Sequence, residues 1–384
     1  MSTPGPSLTP QAVPAGAPAG AGATGLLPQA LAQARLTFRT ARLARVLVRW
    51  TLAQWTVSFG TLVALALGGA SRWQLGPLAY DASLLSAACA GLLLAPLLAA
   101  RCERAAVEGA AGPGAPGPGA LEHHAKETCG PTACGAAAVL ARLLLVLPFV
   151  AVEAVPLVVL GLGLEGASPW AVPAHLLLLA LMGWASCCLG WAARALGARI
   201  AVGIVYALTA AVALGTPAAV LGLGSVVNVE QEQTVYSING DTSSTECSLT
   251  PTVQTRTVGR SELYWWLLVA DPFAALADAA AHGPAFDGEG DEPAWLVGSL
   301  NALMGLSVDG LRDAHPQRVE IRMCGEDVIW DHTGTVILVQ ADHTPFWPVS
   351  ALLMVALAAV SGAVGSRAEA TRRRGDGPRR PGRG

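Results

Sequence analysis

Six runs of mostly apolar residues, each about twenty residues long, dominate the pattern of the chain. They cover residues 51–70, 82–100, 143–164, 170–192, 200–224 and 346–365. At 1.5 Å of rise per residue, about twenty helical residues span the roughly 30 Å of hydrocarbon in a bilayer. Charged residues make up only 13% of the chain, well below the roughly 25% of ordinary soluble domains. The pattern therefore predicts an all-α polytopic membrane protein with six transmembrane helices.

The placement of basic residues predicts how these helices are oriented, because cytoplasmic loops are enriched in Lys and Arg. Five arginines precede the first run: Arg35, Arg39, Arg42, Arg45 and Arg49. Basic residues recur in 101–142 and 193–199, and seven arginines follow the last run. This alternation predicts that both termini and the 101–142 loop are cytoplasmic. The long, acidic segment 225–345 then lies outside.

The amino-acid composition suggests which kind of organism, and so which membrane, the protein belongs to. Lys126 is the only lysine, and Arg, Ala, Gly and Pro, which all have GC-rich codons, are abundant. We interpret this usage as that of a high-GC bacterial genome. The bilayer is therefore expected to be a bacterial plasma membrane.

The segments outside the spans have distinct predicted roles. Residues 1–26 are rich in Pro, Gly and Ala and are expected to be disordered. Residues 27–49 are predicted to form an amphipathic interfacial helix, because their arginines recur every three or four residues and share one helix face. The alternative is that these arginines only set topology. Spans one to five occupy 50–224, span six occupies 346–366, and 367–384 form a basic cytoplasmic tail.

The 225–345 segment is predicted to be an external α+β insertion before the last helix. β-Branched residues in 226–237 and 252–258 flank an Asn239-Gly240 turn signal and predict a hairpin. A second short hairpin is expected between 319–323 and 336–339, and helices are expected in 274–281 and 296–313. Cys247 and Cys324 are the two cysteines of this segment. A disulfide between them and two unpaired thiols both remain open.

Glu153 is the one acidic residue inside an apolar run, between Pro148 and Pro156. An intramembrane carboxylate suggests a functional site. The alternative is a protonated or hydrogen-bonded carboxyl that faces the bundle. His175 lies nearer a membrane face and is expected at the interface.

Motifs for other chemistry are absent from the sequence. His123, His124, Cys129 and Cys134 match no zinc spacing, so neither a metal nor a cofactor is expected. The chain has no G-x-x-x-x-G-K-[ST] loop, no catalytic motif and no nucleic-acid-binding pattern. We therefore expect neither an enzyme nor a nucleic-acid partner.

One segment resembles a known family. Residues 263–279 read LYWWLLVADPFAALADA, which is similar to the "WWLLAPNPFVVLADA" segment of permeases in the type-2 ABC exporter family from high-GC, actinobacterial-type bacteria. In those permeases the segment precedes the last span, as it does here. Residues 300–315 are similar to the helix that follows it. The resemblance implies a permease subunit that forms half of a translocation path, completed by a second copy or a paralogue.

The resemblance also implies a partner that hydrolyses ATP. Family members carry an "E-R-E-x-G-T-L-E" helix after span two that docks on a separate cytoplasmic ABC ATPase. Here Glu103, Arg104 and Glu108 belong to a degenerate version of this helix, ERAAVE, that lacks its Gly-Thr-Leu core. We expect these three residues to contact the ATPase, with Arg35, Arg39 and Arg42 as further contacts.

Three alternatives remain. One is a non-transport membrane protein whose external domain senses or binds a partner, and another is a diverged accessory permease. The third is a secondary carrier that uses Glu153 as its proton site.

Overall fold

The structure of the protein is a computed structural model. It describes residues 25–40, 43–110, 131–163, 168, 170–196, 201–237, 251–282, 299–323 and 343–375. Across these residues, six helices are long and apolar enough to cross a membrane. Their apolar segments, numbered here as spans one to six, are Leu43–Leu67, Gln74–Ala99, Gly135–Gly163, Ala171–Ala195, Gly203–Val226 and Trp347–Thr371. The predicted polytopic all-α class is confirmed.

The elements follow the predicted plan, with a small mixed segment before the last helix. In chain order they are α1 (Leu26–Thr40), α2 (Leu43–Leu67), α3 (Arg72–Ala110), α4 (Pro131–Gly163), α5 (Ala171–Ala195), α6 (Ala201–Val226), β1 (Asn228–Ser237), β2 (Thr252–Gly259), α7 (Pro272–Ala281), α8 (Leu300–Gly310), β3 (Arg318–Met323) and α9 (Trp347–Gly375). Spans one to five lie in α2 to α6, and span six lies in α9.

Span four is the centre of the bundle. In its most apolar stretch, 61% of the residues are buried, against 11% of the residues in the corresponding stretches of spans one and five. It packs against α3, α4 and α9. A glycine lets two of these helices approach closely, since a Cβ added to Gly190 would lie 2.7 Å from the Cα of Pro96. Small residues at such crossings are the usual way in which membrane helices come together.

The predicted 27–49 helix is divided in the structure. Helix α1 ends at Thr40 and α2 begins at Leu43, so Arg45 and Arg49 belong to the helix of span one. Arg35 and Arg39 therefore lie on one helix and Arg45 and Arg49 on the next, while Arg42 lies outside the described residues. The division has a physical reason. Helix α1 packs Ala30 and Ala34 against Ala141 of α4, whereas α2 has to cross the bilayer.

The insertion before the last helix combines α and β structure, as predicted. Strands β1 and β2 pair antiparallel, which confirms the first predicted hairpin. Strand β3 pairs parallel with β1, and the sheet order is β2-β1-β3. The long connection through α7 and α8 permits this parallel pairing. The second predicted hairpin places a further strand beside β3. Residues 336–339, its expected partner, lie outside the described residues.

Candidate functional site

Polar side chains from the first three spans meet inside the otherwise apolar bundle. We call this group the Glu153 cluster. Its members are Gln54 and Ser58 of α2, Ser83 and Ser86 of α3, and Glu153 of α4. Glu153 is only 3% exposed and Gln54 only 4%. A polar group that faces hydrocarbon has no partner, so such positions turn toward one another inside the bundle.

The amide of Gln54 connects the three helices. Its Nε2 donates to Glu153 Oε2 at 3.1 Å and to Ser86 Oγ at 2.9 Å. Ser86 Oγ in turn donates to the carbonyl of Ser83 at 2.9 Å. The hydroxyls of Ser58 and Ser83 share a further hydrogen bond of 2.8 Å. The cluster thus supplies directional contacts between helices in a setting where apolar packing alone does not select one partner over another.

Two polar atoms beside this cluster remain unpaired. Among the described residues, neither Glu153 Oε1 nor Trp50 Nε1 has a hydrogen-bond partner, although both atoms are buried. The Trp50 indole N–H lies beside the carboxyl, but the two do not form a direct hydrogen bond. Both side chains line one cavity of about 50 Å³ between spans one to four. Phe149 also lines it and packs edge-on against Trp50.

The Glu153 carboxyl also lacks a cationic neighbour. Within the described ranges, no Lys, Arg or His nitrogen lies within 4.0 Å of it. A buried carboxylate without a counter-charge is costly in its ionised form, and hydrogen bonds offset only part of that cost. The cavity beside Oε1 is therefore the place where a polar ligand would gain most.

A second set of polar contacts lies at the insertion end of the bundle, where the segment that contains α7 packs onto the spans. Asp271 caps α7 by accepting from Phe273 N at 2.8 Å, and Thr216 of α6 donates to its other oxygen at 2.9 Å. Burial raises the pKa of Asp271, and these hydrogen bonds oppose the shift. The first aspartate of the 263–279 segment thus ties α7 to span five.

Asp278 connects the same helix to span six. Its Oδ2 accepts from the backbone amides of Phe346 and Trp347, each at 2.8 Å. These amides belong to the first turn of α9 or directly precede it, so no carbonyl of that helix pairs with them. The side chain therefore serves as a cap that is supplied from 68 residues away.

His282 completes this contact at the end of α7. Its Nδ1 lies 2.9 Å from the backbone carbonyl oxygen of Asp278 and 3.2 Å from Oδ1 of the same residue, and its Nε2 lies 2.6 Å from the carbonyl oxygen of His343. Burial opposes the charged imidazolium, but the hydrogen bonds and charge of Asp278 outweigh it and raise the pKa of His282 to about 9. The chain that leads into span six is thus held by an imidazolium–carboxylate pair.

Span two and span four hold the other side of the insertion. Asp81 of α3 accepts from Asn301 Nδ2 at 2.9 Å and from Asn301 N at 3.2 Å, which caps the start of α8. His175 of α5 bonds to Tyr80 at 2.6 Å and to the carbonyl of Leu276 at 2.9 Å. His175 was expected near a membrane face. It is fully buried, because α7 covers it.

The structure places the predicted ATPase contacts on one helix. Glu103, Arg104 and Glu108 lie on the part of α3 that continues beyond span two. Their side chains are outside the described part, as are those of Arg39 and Arg42. Arg35 is exposed on α1.

The remaining sequence predictions are met in part. Glu153 faces the bundle and is hydrogen-bonded, as one of its two interpretations required. Cys247 and Cys324 lie outside the described residues. So do His123, His124 and Cys129, and the side chain of Cys134. No group of three possible metal ligands occurs among the residues that the structure describes.

Sequence reasoning missed several residues of these two sets. They are Gln54, Ser58, Ser83, Asp81, Thr216, Asp271 and Asp278. The signal was an isolated amide, hydroxyl or carboxyl within or beside an apolar run. Such a position predicts an inward-facing side chain but does not identify its partner.

No family model, curated protein or solved structure matches this chain.

Proposed function

We propose that the chain is the membrane-spanning permease subunit of an ATP-driven ABC exporter in a bacterial plasma membrane. It would form half of the translocation path, with both termini cytoplasmic. A second permease copy or a paralogue would complete the path, and a separate cytoplasmic ABC ATPase would supply the energy. The observation that carries the proposal is the helix of span two. It continues without a break from Ala99, where the apolar segment ends, to Ala110.

This extension supports coupling because it is one continuous helix with span two. Eleven further residues at 1.5 Å of rise carry the helix roughly 16 Å beyond the apolar segment. A partner that pushes on Glu103, Arg104 or Glu108 would move span two directly. Span two in turn carries Ser83 and Ser86 of the Glu153 cluster and Asp81, which caps α8. One helix therefore links the expected ATPase contact to both polar sets.

The uneven burial of the spans supports a second permease chain. Spans one and five are 11% buried within a single chain. On span one, an open apolar groove is lined by Trp55, Phe59, Gly60 and Val63. A half-path that awaits a partner would have such uncovered helices.

A membrane protein whose external segment binds a partner is the second candidate. The observation that favours it is strand β2. Within the described part of the sheet it is an edge strand, and most of its residues are exposed. An open edge offers unpaired backbone groups to a further strand.

A pull-down separates the two candidates. Tagged full-length protein is purified from detergent-solubilised native membranes, and its partners are identified by mass spectrometry. The proposal expects an ATPase with a P-loop in near-stoichiometric amount. That partner should be lost with Glu103→Ala/Arg104→Ala. It should be retained with Arg45→Ala/Arg49→Ala, which removes two exposed arginines to which we assign no ATPase contact.

Recovery of no ATPase would reject the exporter proposal and favour the second candidate. If an ATPase binds equally well to both double variants, the ATPase partner is supported but its contact does not lie on Glu103 and Arg104 of α3.

A further inference from the structure

The cavity beside Glu153 has an unusual polar lining. Its walls are apolar side chains and glycines, including Ala87, Gly91, Val146 and Leu179. Its polar features are the indole N–H of Trp50 and Oε1 of Glu153, neither of which has a partner among the described residues. The volume of about 50 Å³ exceeds the 10–15 Å³ or so that one water molecule requires. A small polar group therefore fits, and two buried polar atoms would gain a partner.

The two unpaired atoms restrict the chemistry of that group. The indole N–H of Trp50 is only a donor, so the ligand must offer an acceptor. Glu153 Oε2 accepts from Gln54. Oε1 is then an acceptor when the carboxyl is ionised and a donor when it carries the proton. A hydroxyl oxygen accepts from Trp50 and either donates to Oε1 or accepts from it, so it serves both protonation states.

Other head groups of similar size do not meet both requirements. An ammonium group has no acceptor for the Trp50 N–H. An ether oxygen has no donor for an ionised Oε1. A purely apolar group leaves both atoms unpaired, which is costly for buried polar groups. At about 50 Å³, the cavity holds the hydroxyl and only the first carbons of its skeleton, which contact the apolar wall next to these atoms.

We propose that the cavity lined by Trp50 and Glu153 binds the hydroxyl group of a lipophilic alcohol. Trp50 Nε1 donates to the hydroxyl oxygen, and Glu153 Oε1 is its second partner. The further claim that such alcohols are the transported substrate rests on the proposed function. The transported class would then be apolar molecules with a hydroxyl head. A water molecule offers the same donor and acceptor as this hydroxyl, so water is the alternative occupant of the cavity.

Photolabelling of the full-length protein in lipid nanodiscs tests the site. The probe is an octanol that carries a diazirine, and the labelled residues are located by mass spectrometry. We expect labels on the residues that line the cavity. Excess 1-octanol should remove them, whereas equal concentrations of methyl heptyl ether or octane should not.

Three variants separate the polar contacts from the shape of the cavity. Trp50→Phe keeps an aromatic ring and removes the N–H. It should lower cavity labelling roughly fivefold, the effect of about one lost hydrogen bond. Gly91→Val places a side chain in the cavity, where a Cβ on Gly91 meets nothing within 4 Å. It should abolish cavity labelling. Gly215→Val is the matched control on span five, where a Cβ also meets nothing within 4 Å, and it should label like the wild type.

The other results overturn the proposal. Equal competition by octane shows a site without hydroxyl selectivity. Undiminished labelling of Trp50→Phe shows that the indole N–H makes no contact. Absence of cavity labelling in the wild type shows that the cavity holds water only. Since labelling needs no ATPase, it can succeed when the pull-down fails, and the two proposals can fail separately.

Discussion

Gln54 on span one and Glu153 on span three lie 99 residues apart in the chain, yet Gln54 Nε2 donates to Glu153 Oε2 over 3.1 Å. The same Nε2 lies 2.9 Å from Ser86 Oγ on span two. One amide therefore joins three transmembrane helices beside the cavity. The contact makes a thermodynamic prediction, because both side chains are buried and each would lose a partner without the other.

We expect Gln54→Leu to destabilise the protein by about 1–3 kcal/mol, the cost of leaving a buried polar group unpaired. Glu153→Leu alone should also destabilise, but the double variant should lose less than the sum. The expected coupling is about 0.6–1.7 kcal/mol, as for other hydrogen bonds between membrane helices. Thermal unfolding in detergent measures all four proteins. Thr56→Val, an exposed position on the same helix, is the control, and strictly additive losses would contradict the predicted contact.

Asp278 should be essential to the start of span six. Asp278→Ala removes the acceptor for two backbone amides and the partner of His282. We expect a loss of about 1–3 kcal/mol, measured as a lower unfolding temperature. Ser307→Ala on the exposed face of α8 serves as the control and should change little. An unfolding temperature equal to that of the wild type would mean that water replaces the cap.

The His282–Asp278 pair predicts a pH dependence. The pKa of His282 rises from its ordinary value of 6.5 to about 9 in the folded protein. A raised pKa means that the folded state binds the proton more tightly, so this contribution is complete below pH 6.5. It is lost as the pH rises through about 9. The unfolding temperature of the wild type should fall more steeply between pH 6.5 and 9.5 than that of His282→Gln. Parallel curves for the two proteins would rule out the pair as the cause.

Gly190 predicts a packing effect between spans two and four. A Cβ at this position would lie 2.7 Å from Cα of Pro96, and backbone atoms cannot move aside as a flexible side chain can. Gly190→Ala should therefore separate α5 from α3 and cost about 1–3 kcal/mol. Gly203→Ala is the matched control, because its Cβ would meet nothing within 4 Å. If both variants unfold at the wild-type temperature, the inference that α3 and α5 approach too closely for a side chain at position 190 is wrong.

The proposed second permease copy predicts a cross-link through span one. Gly60 lines the open groove of this span, and a Cβ there meets nothing within 4 Å. In a variant that lacks the other accessible cysteines, Gly60→Cys should form a disulfide-linked dimer on mild oxidation in membranes. Gly91→Cys, which faces the cavity inside the bundle, should not. A dimer through Gly215→Cys alone would move the contact to span five.

The six transmembrane helices could be predicted from the sequence because the signal is local. A run of about twenty apolar residues spans the hydrocarbon whatever its neighbours are, and a helix pairs its own backbone groups. The pairing of β1 with β2 was also predictable, since two β-rich stretches lie close together in the chain. The break between α1 and α2 was not predictable in this way. It depends on Ala30 and Ala34 finding a packing partner in α4.

The partners of the polar residues depended on the tertiary structure. The sequence by itself determined that Glu153 lies in a span, that Asp81 and His175 lie in or beside apolar runs, and that Asp278 follows an aromatic segment. Only the packed helices bring Gln54 to Glu153 and the start of α8 to Asp81, across 99 and 220 residues. The physical reason is that hydrophobicity places a helix in the membrane but does not choose its neighbour. That choice belongs to close packing and to the pairing of buried polar groups.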